Sequence, residues 1–415
     1  MRFLSTAIPF ILAASAVAFA AMDNYIPTGT APGCPYAANA AKLKRQSNGA
    51  SPTAANFDPI KQKVDVTGEH AFRPPTAGLN ALANHGYIPH NGVASLLETV
   101  EAAYDVFGID KVLAMMLVTY AIIFTGSPAT LTWSIGESPG GLVIPPLLSA
   151  PQGLSGSHNK YEGDASATRA DIHTGDPNSL NNTLFRQLYG LQPEGPDANF
   201  DYDIVVQHRV SRRRHSVSTN PHFFNGPFSG FVAIPSFYSF ITRLMSNHSA
   251  ENPEGVLDHN TLKSFYGVSG AGNNLTYQKG HERIPDNWYK RGTDYGIPSL
   301  LVDILYAGAK HPELLSIGGN TGRANSFAGV NLGNITGGAY NAVNLLEGNN
   351  LMCFGCQAAQ QAMPDVLKGF LGDLTAALGL WNSNITPIMS GLGCPNLTKY
   401  DGSVFGTFPG SGAGL

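Results

Sequence analysis

A single, mainly α-helical domain is the fold class this sequence predicts, and three observations lead to it. Apolar residues recur at helical spacing in successive segments between Leu79 and Leu380. Strand-like alternation is scarce. After Ala55 no charge run, linker or repeat marks a boundary, so residues 56–415 are expected to form one unit despite their length. Long Gly- and Asn-rich loops, notably Gly318 to Tyr340, are expected between the helices.

The start of the chain reads as an address. Arg2 gives a short basic beginning, Phe3 to Phe19 is mostly apolar, and Ala16, Ala18, Ala20 and Ala21 are the small residues that a signal peptidase requires, so residues 1–20 are expected to be a signal peptide. The apolar span is too short to cross a membrane. Residues 21–55, rich in Ala, Pro, Gly and Ser and holding the candidate processing pair Lys44-Arg45, read as a low-complexity pro-segment.

The first helix is expected where Leu79, Leu82, Ala83 and Tyr87 follow a proline stop, and the second over Val93 to Val106, with apolar Val93, Leu96, Leu97, Val100 and Tyr104. Lys111 to Phe124 is apolar nearly all round and too short to span a bilayer, which predicts a central buried helix. Gly136 to Ser157 reads as loop. Further helices are expected over Ser179–Leu191, Asp203–His215, Ser236–Ser246, Leu262–Phe265, Ile297–Ala309 and Asp365–Leu380. The basic run Arg212-Arg213-Arg214 is expected on a solvated helix face.

Charged residues make up 13% of the chain and the formal net charge is −4, which argues against a nucleic-acid partner, since phosphates demand a basic face. A small neutral substrate fits better. Asn181, Asn247, Asn274, Asn334, Asn384 and Asn396 begin Asn-x-Ser/Thr sequons, which support secretion. Of the cysteines at 34, 353, 356 and 394, Cys353 or Cys356 paired with Cys394 would close a C-terminal loop of about 40 residues. A redox centre at Cys353-x-x-Cys356 ranks below that staple, and a metal site lower still.

Pro74 to Gly92 reads PPTAGLNALANHGYIPHNG, and from Leu79 it resembles the proximal haem segment of the fungal chloroperoxidase and unspecific peroxygenase family. In that family a cysteine thiolate precedes the block and ligates haem iron. Here Thr76 stands at its place in an ungapped alignment, or a short piece ending in Cys is missing between Thr76 and Ala77. The resemblance implies that Thr76, Ala77, Gly78, Leu79 and Asn80 form the proximal segment of a haem b site. His85, shared by family members that keep the cysteine, is expected to be a structural histidine.

A second block, HNKYEGDASATRAD from His158, resembles the Glu-Gly-Asp motif of the long peroxygenases. That implies a Mg²⁺ ion held by Glu162, the carbonyl of Gly163 and Ser166, hard oxygen donors of the kind this ion prefers. Without the first block in the family's order and spacing, a solvated helix start would explain it equally well. The segments from Gly333 to Gly369 and from Cys394 resemble the C-terminal part of the same proteins, and His281 to Trp288 resembles a stretch near the haem pocket entrance. The family's disulfide in this region favours the staple.

Peroxide activation needs a base on the open side of the iron and a positive charge for the leaving oxygen. Long peroxygenases place Glu and Arg after an Asn-Pro-x-Phe segment. That segment is present as Asn220 to Phe223, but Phe224 to Phe240 contains neither residue. Of the acidic residues downstream, Glu251 and Glu254 lie in a polar loop and Glu282 is left as the candidate base, although glutamates are mostly exposed and an exposed loop carboxylate is expected here too.

The resemblance thus implies a chloroperoxidase-like helical domain around a haem pocket. Its expected function is that of a secreted haem peroxidase or peroxygenase, with haem b and Mg²⁺, that uses hydrogen peroxide to oxidise small apolar compounds. The second reading is a family member without the axial thiolate that binds haem or a small molecule and lacks peroxygenase activity. A monomer or homodimer is expected, with no membrane partner.

Overall fold

The computed structural model describes residues 57–65, 77–140, 149–367 and 371–413. Thr76, Cys34 and the expected signal and pro-segments lie outside the described residues. A short helical turn at Pro59–Gln62 precedes the first full helix, α1 (Ala77–Asn84). There follow β1 (Val93–Ser95), α2 (Leu96–Phe107), α3 (Lys111–Thr125) and β2 (Thr132–Ser134). The middle of the chain supplies α4 (Asn182–Tyr189), α5 (Tyr202–Thr219), β3 (Phe224–Asn225), α6 (Ile234–Met245), α7 (His259–Phe265), β4 (Val268–Ser269), β5 (Thr276–Tyr277) and α8 (Ile297–Lys310). Strands β6 (Gly318–Asn320) and β7 (Phe327–Gly329) lead to α9 (Asn350–Val366), α10 (Leu371–Asn384) and α11 (Thr386–Gly391).

The central helix is α3, as its sequence requires: 13 of its 15 residues are buried. Asp110 caps it by accepting from the amides of Val112 (2.9 Å) and Leu113 (3.4 Å). It ends at Gly126, where a Cβ would sit 2.5 Å from the Thr132 carbonyl oxygen, so only glycine lets β2 pass this close. Helix α2 packs along α3 and starts later than its apolar pattern suggests. Val93 to Ser95 pairs as a strand with β2, and Ser95 and Glu98 then form a capping box that opens the helix.

The sheets are small and antiparallel, with orders β1-β2, β3-β6-β7 and β4-β5. Gly318 to Tyr340, expected as loop, contains the β6–β7 hairpin and a helical turn at Leu332–Ile335. Helix α9 has no counterpart in the apolar pattern. It packs on the π-helical turn Ser229–Ala233 that leads into α6. Cys353 in α9 is bonded to Cys394, which settles the open pairing and leaves Cys356 buried as a free thiol.

The basic run on α5 corrects another expectation. Arg209 and Arg212 are 5% and 3% exposed, and Arg213 lies over the Phe327 ring at 4.5 Å; Arg214 alone of the 212–214 run is exposed, and it pairs with Glu313. Arg212 turns inward to the Ser166 carbonyl and Asp171 of the loop that follows residue 162, and Arg209 to the Leu314 carbonyl.

Candidate active-site cavity

A cavity of about 260 Å³ opens between α1, α2, α3, α6 and the loop 154–170. Its floor includes Gly78, Leu79 and Leu82 of α1, the positions that the helical spacing of the first block aligns on one face. Phe107, Leu117, Tyr120, Phe228 and Phe240 make the walls largely apolar, and Tyr120 stacks on Phe228 at 3.7 Å. Phe237, 39% exposed, stands at the mouth and meets Phe240 edge to face at 6.4 Å.

Glu162, Gly163 and Ser166 border the same cavity. The loop that carries them is fixed from behind by several elements. Arg212 Nε donates to the Ser166 carbonyl (3.0 Å), His208 Nε2 contacts the Ala167 carbonyl (2.7 Å) and the Tyr238 hydroxyl donates to the Ala165 carbonyl (2.7 Å). The Ala165 amide donates to Asp171 Oδ1 at 3.0 Å. Ala165 is held at φ 60°, a left-handed conformation that costs a residue with a Cβ about 1–2 kcal/mol. Strain of this kind persists where the surroundings over-determine it, and it clusters at functional sites.

Under the loop lies a buried carboxyl pair. Asn220 Nδ2 donates to Asp164 (3.0 Å) and Asp171 (3.1 Å), so the Asn-Pro-x-Phe segment braces this loop. Burial, and then the neighbouring charge of Asp171, push the Asp164 carboxyl up to about 8. His158 borders the cavity with Nε2 4.0 Å from Asp164; burial lowers it to about 4, which keeps the imidazole neutral at ordinary pH. The Glu162 carboxylate pairs with Arg169 Nη1 and accepts from Ser157 Oγ at 2.8 Å.

Glu282 is 3% exposed, which corrects the expectation of an exposed loop carboxylate. It does not border the cavity. It lies behind α1, where Asn80 Nδ2 donates to it, and Tyr277 donates to its other oxygen at 3.2 Å. His85 is structural, its Nε2 accepting from the Ile284 amide at 3.1 Å. The positioning residues His208, Arg212, Tyr238 and Asn220 were not singled out as such in the sequence, because nothing local to them shows that their partners lie on a distant loop.

Residues 65–293 match the model of the family described as Peroxidase, family 2. The chain belongs to that family. Over 361 residues it is 40% identical to an aromatic peroxidase of Fusarium equiseti, covering 82% of each chain. It is 37% identical over 423 residues to a dothistromin biosynthesis peroxidase of Dothistroma septosporum, covering 99% of this chain and 98% of the relative. An aromatic peroxygenase of Cyclocybe aegerita is 28% identical over 256 residues, 62% of this chain and 63% of the relative. Family-2 membership makes this chain a peroxide-dependent oxidoreductase with a mainly α, chloroperoxidase-like fold.

Peroxidase family 2 is a haem-thiolate family, and the cavity meets that chemistry in part. Its apolar walls suit a flat macrocycle. At one edge Arg169 offers a cation for carboxylates, and Glu162, Gly163 and Ser166 offer one carboxylate, one carbonyl and one hydroxyl. A thiolate does not come from the described residues. Cys353 and Cys394 are bonded to each other, and Cys356, pushed up to about 12 by burial, does not border the cavity.

Proposed function

We propose that this family-2 peroxidase is secreted, takes haem into the cavity against α1, and uses hydrogen peroxide to oxidise small apolar compounds that enter past Phe237. The observation that carries the reading is one shared chamber. Gly78, Leu79 and Leu82 and, far from them in the chain, Glu162, Gly163 and Ser166 border the same apolar cavity, with the Glu162–Arg169 ion pair at its wall. Mg²⁺ at Glu162, the Gly163 carbonyl and Ser166 would place a second positive charge where buried carboxylates need one. Haem, when bound, supplies the redox chemistry with peroxide. The chain's own part is to exclude water with the aromatic walls, fix the cation loop through α5, and keep His158 neutral at the cavity wall.

Among the described residues no cysteine borders the cavity, which favours a second reading, in which the haem is held without a thiolate and peroxygenation is weak or lost. Titration of the purified chain with haem, followed by peroxide-dependent turnover of an apolar arene, separates these. Saturation at one equivalent with turnover supports the first reading. Saturation without turnover supports the second, and no uptake refutes both.

A further inference from the structure

Residues 280–284 are stitched to α1 through side chains that do not border the cavity. Asn80 Nδ2 donates to Glu282 Oε2, Asn84 Nδ2 donates to the carbonyls of Gly280 (3.1 Å) and Glu282 (2.7 Å), and the Ile284 amide donates to His85 Nε2 (3.1 Å). Asn80 and Asn84 are fully buried. Asn80 lies one and two residues from Leu79 and Gly78, which form the cavity floor. Whatever moves Asn80 moves that floor.

An ionised carboxylate only accepts hydrogen bonds, whereas the protonated acid also donates one. Asn80 can serve either state. Its Nδ2 donates to the carboxylate, and its Oδ1, which has no partner, can accept the acid proton if the amide turns over. The groups that meet the Glu282 carboxyl by hydrogen bond, the side chains of Asn80 from α1 and Tyr277 from β5 and the backbone of Gly280 and Glu282, are all neutral. Other titratable groups nearby are His85, which directly follows α1, His281 and Arg283 in the same segment, with Arg283 paired to Asp286 at 2.7 Å, and Lys263 of α7, whose ammonium reaches the Gly270 carbonyl. Arg169 and Asp176 act on Tyr277 from further away.

We propose that Glu282 is a positioning residue: through Asn80 it sets the first turn of α1, and the gain or loss of its proton changes how Gly78 and Leu79 meet the group bound in the cavity. The geometry stands without any titration value, but the environment agrees with it. Burial pushes this carboxyl from 4.5 up to about 7. A carboxyl that returns to its ordinary value when the clamp opens makes opening roughly tenfold more favourable at pH 8 than at pH 6. The clamp itself does not depend on haem; only its consequence for the cofactor rests on the function proposed above.

Hydrogen exchange of the full chain, read by mass spectrometry at both pH values and corrected for intrinsic exchange, tests this. Peptides covering 77–85 should lose roughly tenfold protection from pH 6 to pH 8 in the wild type and stay constant in Glu282→Gln, while α6 peptides behave alike in both. Tyr277→Phe, which removes a donor to the carboxylate, should move the transition to higher pH, and it carries the test where Glu282→Gln does not fold. The same pH dependence in Glu282→Gln, or an unmoved transition in Tyr277→Phe, overturns the proposal. Haem titration of the same samples addresses the cofactor reading separately: failure to bind haem with the transition present refutes that reading and leaves the clamp standing.

Discussion

The loop proposed to hold Mg²⁺ gives the sharpest prediction, because Glu162 already has a partner. Its carboxylate pairs with Arg169, and each side chain is 14% exposed, so the pair is neither a surface ornament nor fully desolvated. Glu162→Gln keeps the shape and an acceptor for Ser157 Oγ but removes the charge. A partly buried ionic hydrogen bond of this kind is worth about 1–3 kcal/mol, below the 3–5 kcal/mol for breaking a fully buried pair. Magnesium adds to this by mass action. At 100 times its dissociation constant a ligand that binds only the folded state contributes about 2.7 kcal/mol, so in excess Mg²⁺ the gap between wild type and variant should widen to about 4–6 kcal/mol. Denaturant unfolding of both proteins, with chelator and with excess magnesium chloride, reads these values. A wild type indifferent to magnesium would refute the cation site, and an increment kept in Glu162→Gln would refute the place of Glu162 in it.

The remaining predictions concern the covalent features. Cys353 and Cys394 are 41 residues apart, so replacing both with Ser should cost about 4 kcal/mol by loop entropy, seen as a lower denaturant midpoint, whereas reducing agent should have no further effect on that variant. Of the six sequons, Asn274, Asn334 and Asn396 are exposed, while Asn384 Nδ2 donates to buried Thr119 Oγ1 at 3.1 Å and Asn247 Oδ1 accepts from the Tyr289 amide. Glycopeptide mapping of secreted material should find the first three modified and Asn384 bare.

What the sequence made legible divides along the range of the interactions. Helix α3 was readable because an unbroken apolar run of that length has one stable place, the interior. Helix α9 was not, because Gly355, Gln357, Gln360, Gln361 and Pro364 interrupt the apolar pattern on a segment whose burial comes from the π-turn and the disulfide. Strands of two or three residues carry too few side chains to show a period of two. The first and second blocks could be read through their resemblance to a family, and they do border one cavity. The inward turn of Arg212 and the burial of Glu282 could not, since their partners Ser166 and Asn80 lie 46 and 202 residues away.

The carbonyl spectrum of the reduced, haem-loaded chain tests the central claim, that this family-2 peroxidase has an apolar cavity against α1 to which no described residue brings a thiolate. Thiolate orbitals mix with the porphyrin transition and shift the Soret band of the carbon monoxide complex strongly to the red; oxygen and imidazole ligands leave it in place. Cys353 and Cys394 are consumed by their bond and Cys356 is sealed in α9. The account therefore predicts an unshifted band, with partial recovery of the red shift when Pro-Cys is inserted before Ala77. A fully red-shifted band from the unmodified chain would contradict it.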